Sequence, residues 1–124
     1  MKLTPVDIAE KLDKINEHWS PHIVGELNGQ HVKLAKLKGE FIWHDHQQED
    51  ELFYVVKGTL IMELRDPDEC TVTIGPGEFI VVPRGVMHRP IAPEEVHVML
   101  FEPASTVNTG NIDHDLTKKD LPRI

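Results

Sequence analysis

The sequence has few of the features that mark secreted, membrane-spanning or nucleic-acid-binding proteins. A single cysteine, Cys70, cannot form an internal disulfide, so we expect a cytoplasmic protein in which Cys70 is an inert loop thiol. No apolar run is long enough for a signal peptide or a membrane span. Basic residues are outnumbered by acidic ones, 13 to 21, and the net charge of -8 suits neither nucleic acid nor an anionic membrane. We therefore expect no nucleic-acid or membrane partner.

Helical periodicity is scarce and occurs only near the N-terminus. The chain of 124 residues is long enough for one domain with a buried core. Thr4 as N-cap and Pro5 at the first helical position predict a short helix over about residues 5–17. The face of this helix that packs on the rest of the protein is predicted to contain Val6, Ala9, Leu12 and Ile15.

Short strand patterns make up most of the remaining sequence. Asn28-Gly29 predicts a hairpin between IVGEL and HVKLAKL. Turn residues, among them Ala92-Pro93, separate the other predicted strands, which are 39–46, 51–57, 59–65, 70–74, 78–82 and 95–102. Many short strands with one helix predict an all-β barrel or sandwich over about residues 22–102. The polar residues 103–124 are either a flexible tail or an arm that lies on a partner subunit.

Two histidines one residue apart, in WHDHQQEDELFYVVKG at residues 43–58, form the first candidate site. In a strand, His44 and His46 would point to one face with their Cα atoms about 6.5–7 Å apart. That spacing lets both imidazoles bind one ion through bonds of about 2.1 Å. After a turn, Glu51 would begin the next strand and could face the same way. Two imidazoles and a carboxylate favour a divalent metal site over a structural zinc site of the cysteine type.

A second stretch, GPGEFIVVPRGVMHRP at residues 75–90, supplies a fourth candidate ligand. Because the chain contains eight histidines, an HxH pair alone is more typical of a protein surface than of a metal site. Here, however, an apolar strand runs into a Pro-Arg-Gly turn, and His88 follows three residues after Gly85. A ligand from this distant strand would complete a four-ligand site.

The two stretches together resemble the two sequence motifs of the cupin family. The first motif is G-x5-HxH-x3–4-E-x6-G, and it is matched, with four residues rather than five after the first glycine, by Gly39, His44, His46, Glu51 and Gly58. The second motif is G-x5-PxG-x2-H-x3-N, and it is matched by Gly77, Pro83, Gly85 and His88. Ala92 stands where that motif has asparagine, which changes no metal ligand.

This resemblance implies a jelly-roll barrel, the double-stranded β-helix, here with a short N-terminal helix. It implies that one divalent metal ion is bound inside the barrel by His44, His46, Glu51 and His88. The ion could be Fe, Mn, Ni, Co, Cu or Zn, because this ligand set suits them all. The alternative is a barrel that binds no metal. Small one-domain cupins are often dimers, so we also expect a homodimer.

Three functions are compatible with these residues. We favour a metal-dependent enzyme, of the dioxygenase or the isomerase and lyase type, that acts on a small polar organic molecule. The alternatives are a non-catalytic domain that binds or senses a small molecule and a barrel without a ligand. A second acid or base beside the metal would favour catalysis, and the candidates are His97 and Glu49. Because the imidazoles must be neutral to bind, we expect the metal to be lost below about pH 6.

The other polar and aromatic residues are expected away from the metal. His97 lies in the continuous apolar run VHVMLF, so it could face the cavity or cover the outer face. Glu49 is expected to be a solvated loop acid, and Arg84 a surface turn residue. Trp43 and Phe41 are expected to pack on the helix or at a subunit interface. Surface positions are expected for the remaining histidines, His18, His22, His31 and His114.

Overall fold

The computed structural model describes residues 1–124 and contains one short helix and seven β-strands. The helix, α1, spans Ile8–Asp13. The strands are β1 (His22–Leu27), β2 (Gln30–Glu40), β3 (Glu51–Lys57), β4 (Leu60–Arg65), β5 (Glu69–Ile74), β6 (Phe79–Val82) and β7 (Met87–Pro103). This arrangement confirms the predicted all-β jelly-roll barrel with a short N-terminal helix. No helix of the protein is long and apolar enough to span a lipid bilayer.

All strands pair antiparallel in one curved sheet. Five strands follow the order β1-β2-β7-β3-β6, and β4 pairs with both β5 and β7. Strand β7 joins the two halves of the barrel, because its first residues pair with β4 and its later residues lie between β2 and β3. Alternate residues of these strands face inward and fill the core, which includes the fully buried Val55, Leu60, Met62, Val96 and Val98.

Strand β7 is longer than predicted. The sequence suggested a turn at Ala92-Pro93 and a strand from residue 95, whereas the structure contains one continuous strand from Met87. Residues 93–95 lie opposite the single residue Lys38 of β2, so the extra length is accommodated as an irregularity of register. Proline is tolerated in a strand where the partner does not require its missing N–H. The turn prediction at this position was therefore wrong.

The segment that carries the two histidines is not the regular strand predicted over residues 39–46. Strand β2 ends before Phe41, and His44 forms only an isolated bridge with His88 of β7. The backbone N–H of Phe41 donates to the Pro90 carbonyl at 3.0 Å, but Pro90 has no N–H with which to return a bond. The segment therefore runs beside β7 with interrupted pairing, which the alternation of side chains alone could not reveal.

The helix begins later than predicted, with Asp7 rather than Thr4 as its N-cap. The Asp7 side chain accepts a hydrogen bond from the Glu10 N–H at 3.1 Å, as expected of an aspartate in this position. The shorter helix has a different inner face from the predicted one: Val6 is 48% exposed. The apolar residues that pack here against Leu34 of β2 include Ile8, Leu12 and Ile15.

The predicted hairpin is confirmed. Asn28 and Gly29 have positive φ angles of 50° and 75°, and they join Leu27 to its partner Gln30. These are the angles that a two-residue turn between twisted strands requires.

The C-terminal residues lie on the barrel of their own chain. The Ile23 N–H of β1 donates to the Pro122 carbonyl at 2.9 Å, and the Ile124 N–H donates back to the Ile23 carbonyl at 3.1 Å. Farther back, Gly110 packs so closely on the segment with the histidines that a Cβ atom at Gly110 would clash with the Asp45 carbonyl oxygen. The tail is thus anchored on the barrel, which is neither of the two arrangements considered from the sequence.

Candidate metal centre

Four buried side chains from three parts of the chain converge inside the barrel. His44 and His46 follow β2, Glu51 is the first residue of β3, and His88 is the second residue of β7. Each residue offers one ligand atom, and these atoms all lie within 4.8 Å of one another. None of the four residues is more than 4% exposed. These are the residues that the two sequence motifs indicated, and the cluster could hold one metal ion.

Backbone carbonyls orient two of the imidazole rings. The Nδ1 atom of His44 lies 2.9 Å from the Ile42 carbonyl oxygen, and the Nδ1 atom of His88 lies 2.9 Å from the Val86 carbonyl oxygen. Because a carbonyl only accepts, Nδ1 must carry the proton and donate it, which leaves Nε2 with a free lone pair. The Nε2 atom of His88 is 3.3 Å from Glu51 Oε1, so it points into the cluster. Histidines that bind metals are commonly held in this way.

The cluster contains buried polar atoms that no group of the protein satisfies. They are both ring nitrogens of His46, Nε2 of His88 and Oε1 of Glu51. Buried polar atoms without a partner are rare because their desolvation is costly. Three imidazoles and one carboxylate form a donor set that suits divalent transition metals. The residues present therefore fit a metal ion, which would satisfy several of these atoms at once.

The surroundings shift the protonation of the ligands in different directions. Burial, followed by the neighbouring His88, lowers the pKa of His44 to about 4. Burial also acts to lower the pKa of His46, but the nearby, negatively charged carboxylate of Glu51 outweighs it and raises the pKa of His46. Burial disfavours the charge on Glu51, yet the nearby polar groups of Glu102, His46 and His88 hold the pKa of Glu51 well below its usual value. The cluster thus combines an ionised carboxylate with a neutral His44 at neutral pH.

A small cavity lies beside the cluster. His44 and Glu51 form part of its wall, and most of the remaining wall is apolar, with Phe41, Phe53 and Leu100 among its residues. The space open to the centre of a water molecule is ≈ 40 Å³, which is enough for a few water-sized groups. A molecule that reached the cluster through this cavity would therefore be small or would insert only one end.

The two aromatic residues near the histidines contact other side chains than those of the helix. The Phe41 ring stacks on Trp19 with centroids 4.7 Å apart and meets the edge of the His44 ring at 5.3 Å. The Trp43 ring lies under the guanidinium of Arg65, whose Cζ is 3.9 Å from the ring centroid. The irregular backbone of this segment turns Phe41 toward the cavity rather than the helix. A subunit interface, the other location expected, stays a prediction for Trp43.

His97 lies on the outer face of the barrel. Its neighbours Val96 and Val98 are fully buried in the core, so the alternation of the strand directs His97 outward. There its Nε2 atom is 2.9 Å from Glu95 Oε1. Of the two positions considered for His97, the structure shows the one away from the cavity, so His97 is not placed to carry protons at the cluster.

Glu49 lies closer to the cluster than a solvated loop acid would. Its Oε1 atom is 4.0 Å from Nδ1 of His46, its side chain is 14% exposed, and its Oε2 atom accepts a hydrogen bond from Ser105. Arg84 is exposed, as expected. Of the four histidines expected at the surface, His31 is buried, because it shares the inward phase of β2.

A buried ion pair next to the cluster was missed in the sequence. The Lys33 ammonium donates to Glu102 Oε1 at 2.7 Å, and both side chains are 2% exposed. Lys33 points inward from β2, and Glu102 points inward from β7 in phase with Val98 and Leu100. Burial and then the charge of Glu51 raise the pKa of Glu102 well above its usual value. The signal for Glu102 was its even spacing from these valine and leucine residues, which the continuous apolar run concealed.

The fold and the cluster together place the protein among small jelly-roll barrels whose interior contains three histidines and one glutamate that could hold a metal ion. The family model of the cupin domain matches residues 30–102, which is more than half of the chain. The protein therefore belongs to the cupin family.

Several known proteins are similar to this chain. Uncharacterized protein YdbB of Bacillus subtilis (strain 168) is 31% identical over 77 residues, which cover 62% of this chain and 66% of that protein, just under two thirds. A cupin-2 domain containing protein from Shewanella frigidimarina has a crystal structure that is 42% identical, with a TM-score of 0.75, and covers 79% of this chain and 93% of that one.

Two further structures are similar at the level of the fold. KdgF from Halomonas sp. is 26% identical with a TM-score of 0.56, over 67% of this chain and 78% of that chain. Hydroquinone 1,2-dioxygenase from Sphingomonas sp. TTNP3, with 4-hydroxybenzoate bound, is 11% identical with a TM-score of 0.73, over 81% of this chain and 32% of that chain. At that identity, the dioxygenase shows a shared fold and nothing more.

Proposed function

We propose that this cupin binds one divalent transition-metal ion and is an enzyme acting on a small polar organic molecule. The proposed ligands are His44, His46, Glu51 and His88. The observation that carries the proposal is that four buried ligand atoms lie within 4.8 Å of one another while several of them lack any hydrogen-bond partner. When bound, the metal would supply a Lewis acid for an oxygen-containing substrate, and redox chemistry with O2 if it is iron.

The residues around the cluster would control what reaches it. The Ile42 and Val86 carbonyls fix the orientation of two imidazoles, so these rings need little reorganisation to bind the ion. Phe41, Phe53 and Leu100 give the cavity an apolar wall that would limit the number of water molecules beside a substrate. The proposed reaction is of the dioxygenase or the isomerase and lyase type, and the shared barrel fold is compatible with both.

The alternative function is that of a non-catalytic domain which binds or senses a small molecule. It is favoured by the outward position of His97, which removes one of the two acid–base candidates from the cavity. Metal binding is common to both proposals, so the two differ only in turnover.

We also propose that residues 1–124 form a single domain and that the protein is a cytoplasmic homodimer. The pairing of the C-terminal residues with β1 supports the single domain. The exposed free thiol of Cys70 supports a reducing compartment. The dimer is supported by Phe79 and Val81 on the outermost strand β6, which are 60% and 52% exposed.

Turnover is tested with protein loaded separately with Fe(II), Mn(II), Co(II), Ni(II) or Zn(II). Each form is incubated with a panel of small hydroxy acids, keto acids and phenols, with and without O2, and products are identified by mass spectrometry. We expect at least one metal-dependent conversion, which His88→Ala abolishes and the matched control His18→Ala, at an exposed histidine, retains. Binding of a panel compound without conversion would support the sensing alternative. Neither binding nor conversion by any metal-loaded form would contradict both functions.

A further inference from the structure

The wall of the cavity beside the cluster contains one side chain, outside the proposed ligands, with a polar atom that has no hydrogen-bond partner in the protein. Apart from the proposed ligands, the side chains with polar atoms in its wall are Trp19, Glu102 and Asn108. The Trp19 indole N–H donates to the Lys38 carbonyl at 2.9 Å. Both polar atoms of the Asn108 amide bond to the backbone of the tail, at 2.9 Å and 2.8 Å. Only Glu102 therefore retains an uncommitted polar atom.

The Glu102 carboxylate is held firmly by one oxygen and is free at the other. Its Oε1 atom accepts the hydrogen bond from Lys33 at 2.7 Å, inside the barrel and away from solvent. Its Oε2 atom is buried and has no hydrogen-bond partner. Leaving such an atom unpaired is costly, so a ligand that offers a matching group there would be stabilised selectively.

We propose that Glu102 contacts the ligand and determines its class by hydrogen-bonding a hydroxyl group of a small molecule whose other oxygen binds the metal. The inference rests on the metal site proposed above. A hydroxyl can donate to a carboxylate or accept from a carboxylic acid, so the match holds for either form of Glu102. The Lys33–Glu102 pair then has a role in the cavity as well as in the packing of the barrel.

The size of the cavity limits the distance between the two contacts. With ≈ 40 Å³ open to the centres of water-sized groups, the metal-binding oxygen and the hydroxyl must be separated by only a few atoms. The remaining wall is apolar near Phe53 and Leu100 and offers no partner for further polar groups. The predicted ligand class is therefore that of short hydroxylated carboxylates or carbonyl compounds.

The test uses glycolate and acetate, which share a carboxylate and differ by one hydroxyl. Both are titrated into the Co(II)-loaded protein, and the visible absorption of the cobalt gives the two dissociation constants. The variants are Glu102→Gln, which keeps the size of the side chain, and Lys33→Met/Glu102→Leu, which removes both partners so that no buried charge is left alone. The matched control is Glu69→Gln, at an exposed carboxylate of β5 that is outside the cavity wall.

The quantity compared is the ratio of the acetate to the glycolate dissociation constant. A hydrogen bond to a charged group contributes a factor of about 10 or more, so we expect the ratio to fall about tenfold in the double variant. It should fall several-fold in Glu102→Gln, and both acetate binding and one cobalt per chain should be retained. Glu69→Gln should match the wild type. If circular dichroism shows the double variant unfolded, Glu102→Gln decides, with a fall of at least about threefold required.

Three results would overturn the inference. An unchanged ratio at one cobalt per chain would show that Glu102 does not contact the ligand. A lower cobalt affinity with an unchanged ratio would show that Glu102 acts by positioning Glu51 instead. Wild-type protein that takes up no cobalt would refute the metal site itself, and the inference with it, so the two failures are distinguishable.

Discussion

At the scale of the residue, His44 and His46 occupy the same cluster but respond to pH in opposite ways. His44 is buried beside another imidazole, which lowers its pKa to about 4, whereas the carboxylate of Glu51 raises the pKa of His46. As the pH falls, His46 is therefore the first of the two to be protonated. The loss of metal below about pH 6, expected from an ordinary histidine, stays a prediction, and we assign it to His46.

His44 predicts a pH-dependent stability for the metal-free protein. Its pKa is about 4 in the folded protein and 6.5 in the unfolded chain, so the unfolded chain binds more protons between these values. The free energy of unfolding should thus decrease as the pH falls from about 6.5 to about 4, by about 2–3 kcal/mol from this residue. Urea unfolding at pH 7 and pH 4.5 should show a smaller decrease for His44→Gln than for the wild type. Equal decreases would contradict the buried, neutral His44.

The four proposed ligands could be predicted from the sequence, whereas their charged neighbours could not. The ligand positions follow from fixed spacings around glycines and prolines that shape the turns. Lys33 and Glu102 carry no such spacing, because whether they point into the barrel depends on the phase of strands with apolar residues on both faces. Lysine is rarely buried unless it is paired with an acid, and the sequence does not show that Glu102 lies next to Lys33.

At the scale of the element, the ends of the strands were less predictable than their existence. Strands β3 and β6 agree with the prediction to within one residue, since clear turn residues flank them. The bounds of the histidine segment and of β7 differ from the predicted ones. Pro90 lies opposite the histidine segment and Pro93 lies within β7, and each interrupts hydrogen bonding without ending the extended backbone. Despite this irregular backbone, the bridge between His44 and His88 brings the two motifs together.

Strand β6 predicts the association of two chains. It pairs only with β3 and is therefore an edge strand, and its Phe79 and Val81 are more than half exposed on one face. Light scattering after size-exclusion chromatography should give twice the chain mass of 14.1 kDa for the wild type. The variant Phe79→Ser/Val81→Ser should give the monomer mass, and Ile112→Ser, at an exposed apolar residue of the tail, should remain dimeric. A monomeric wild type would contradict the predicted dimer.

At the scale of the whole molecule, the barrel assembles its cluster from residues that are up to 44 positions apart in the sequence, from His44 to His88. Most of the barrel core is apolar, and the cluster places unpaired polar atoms next to it. Its fold class was predictable, because short strands, turn residues and two family motifs all indicated the same barrel. The course of the C-terminal residues was not predictable, because their polar sequence has no periodicity that specifies a partner surface.

The central claim is that His44, His46, Glu51 and His88 hold one metal ion, and metal content per chain tests it most directly. Untagged protein purified without chelator, before and after reconstitution, is measured by elemental mass spectrometry beside His88→Ala and the control His18→Ala. We predict close to one equivalent of a single transition metal in the wild type and the control, and far less in His88→Ala. A wild type that contains and takes up no metal, or a His88→Ala variant with full metal content, would contradict the account.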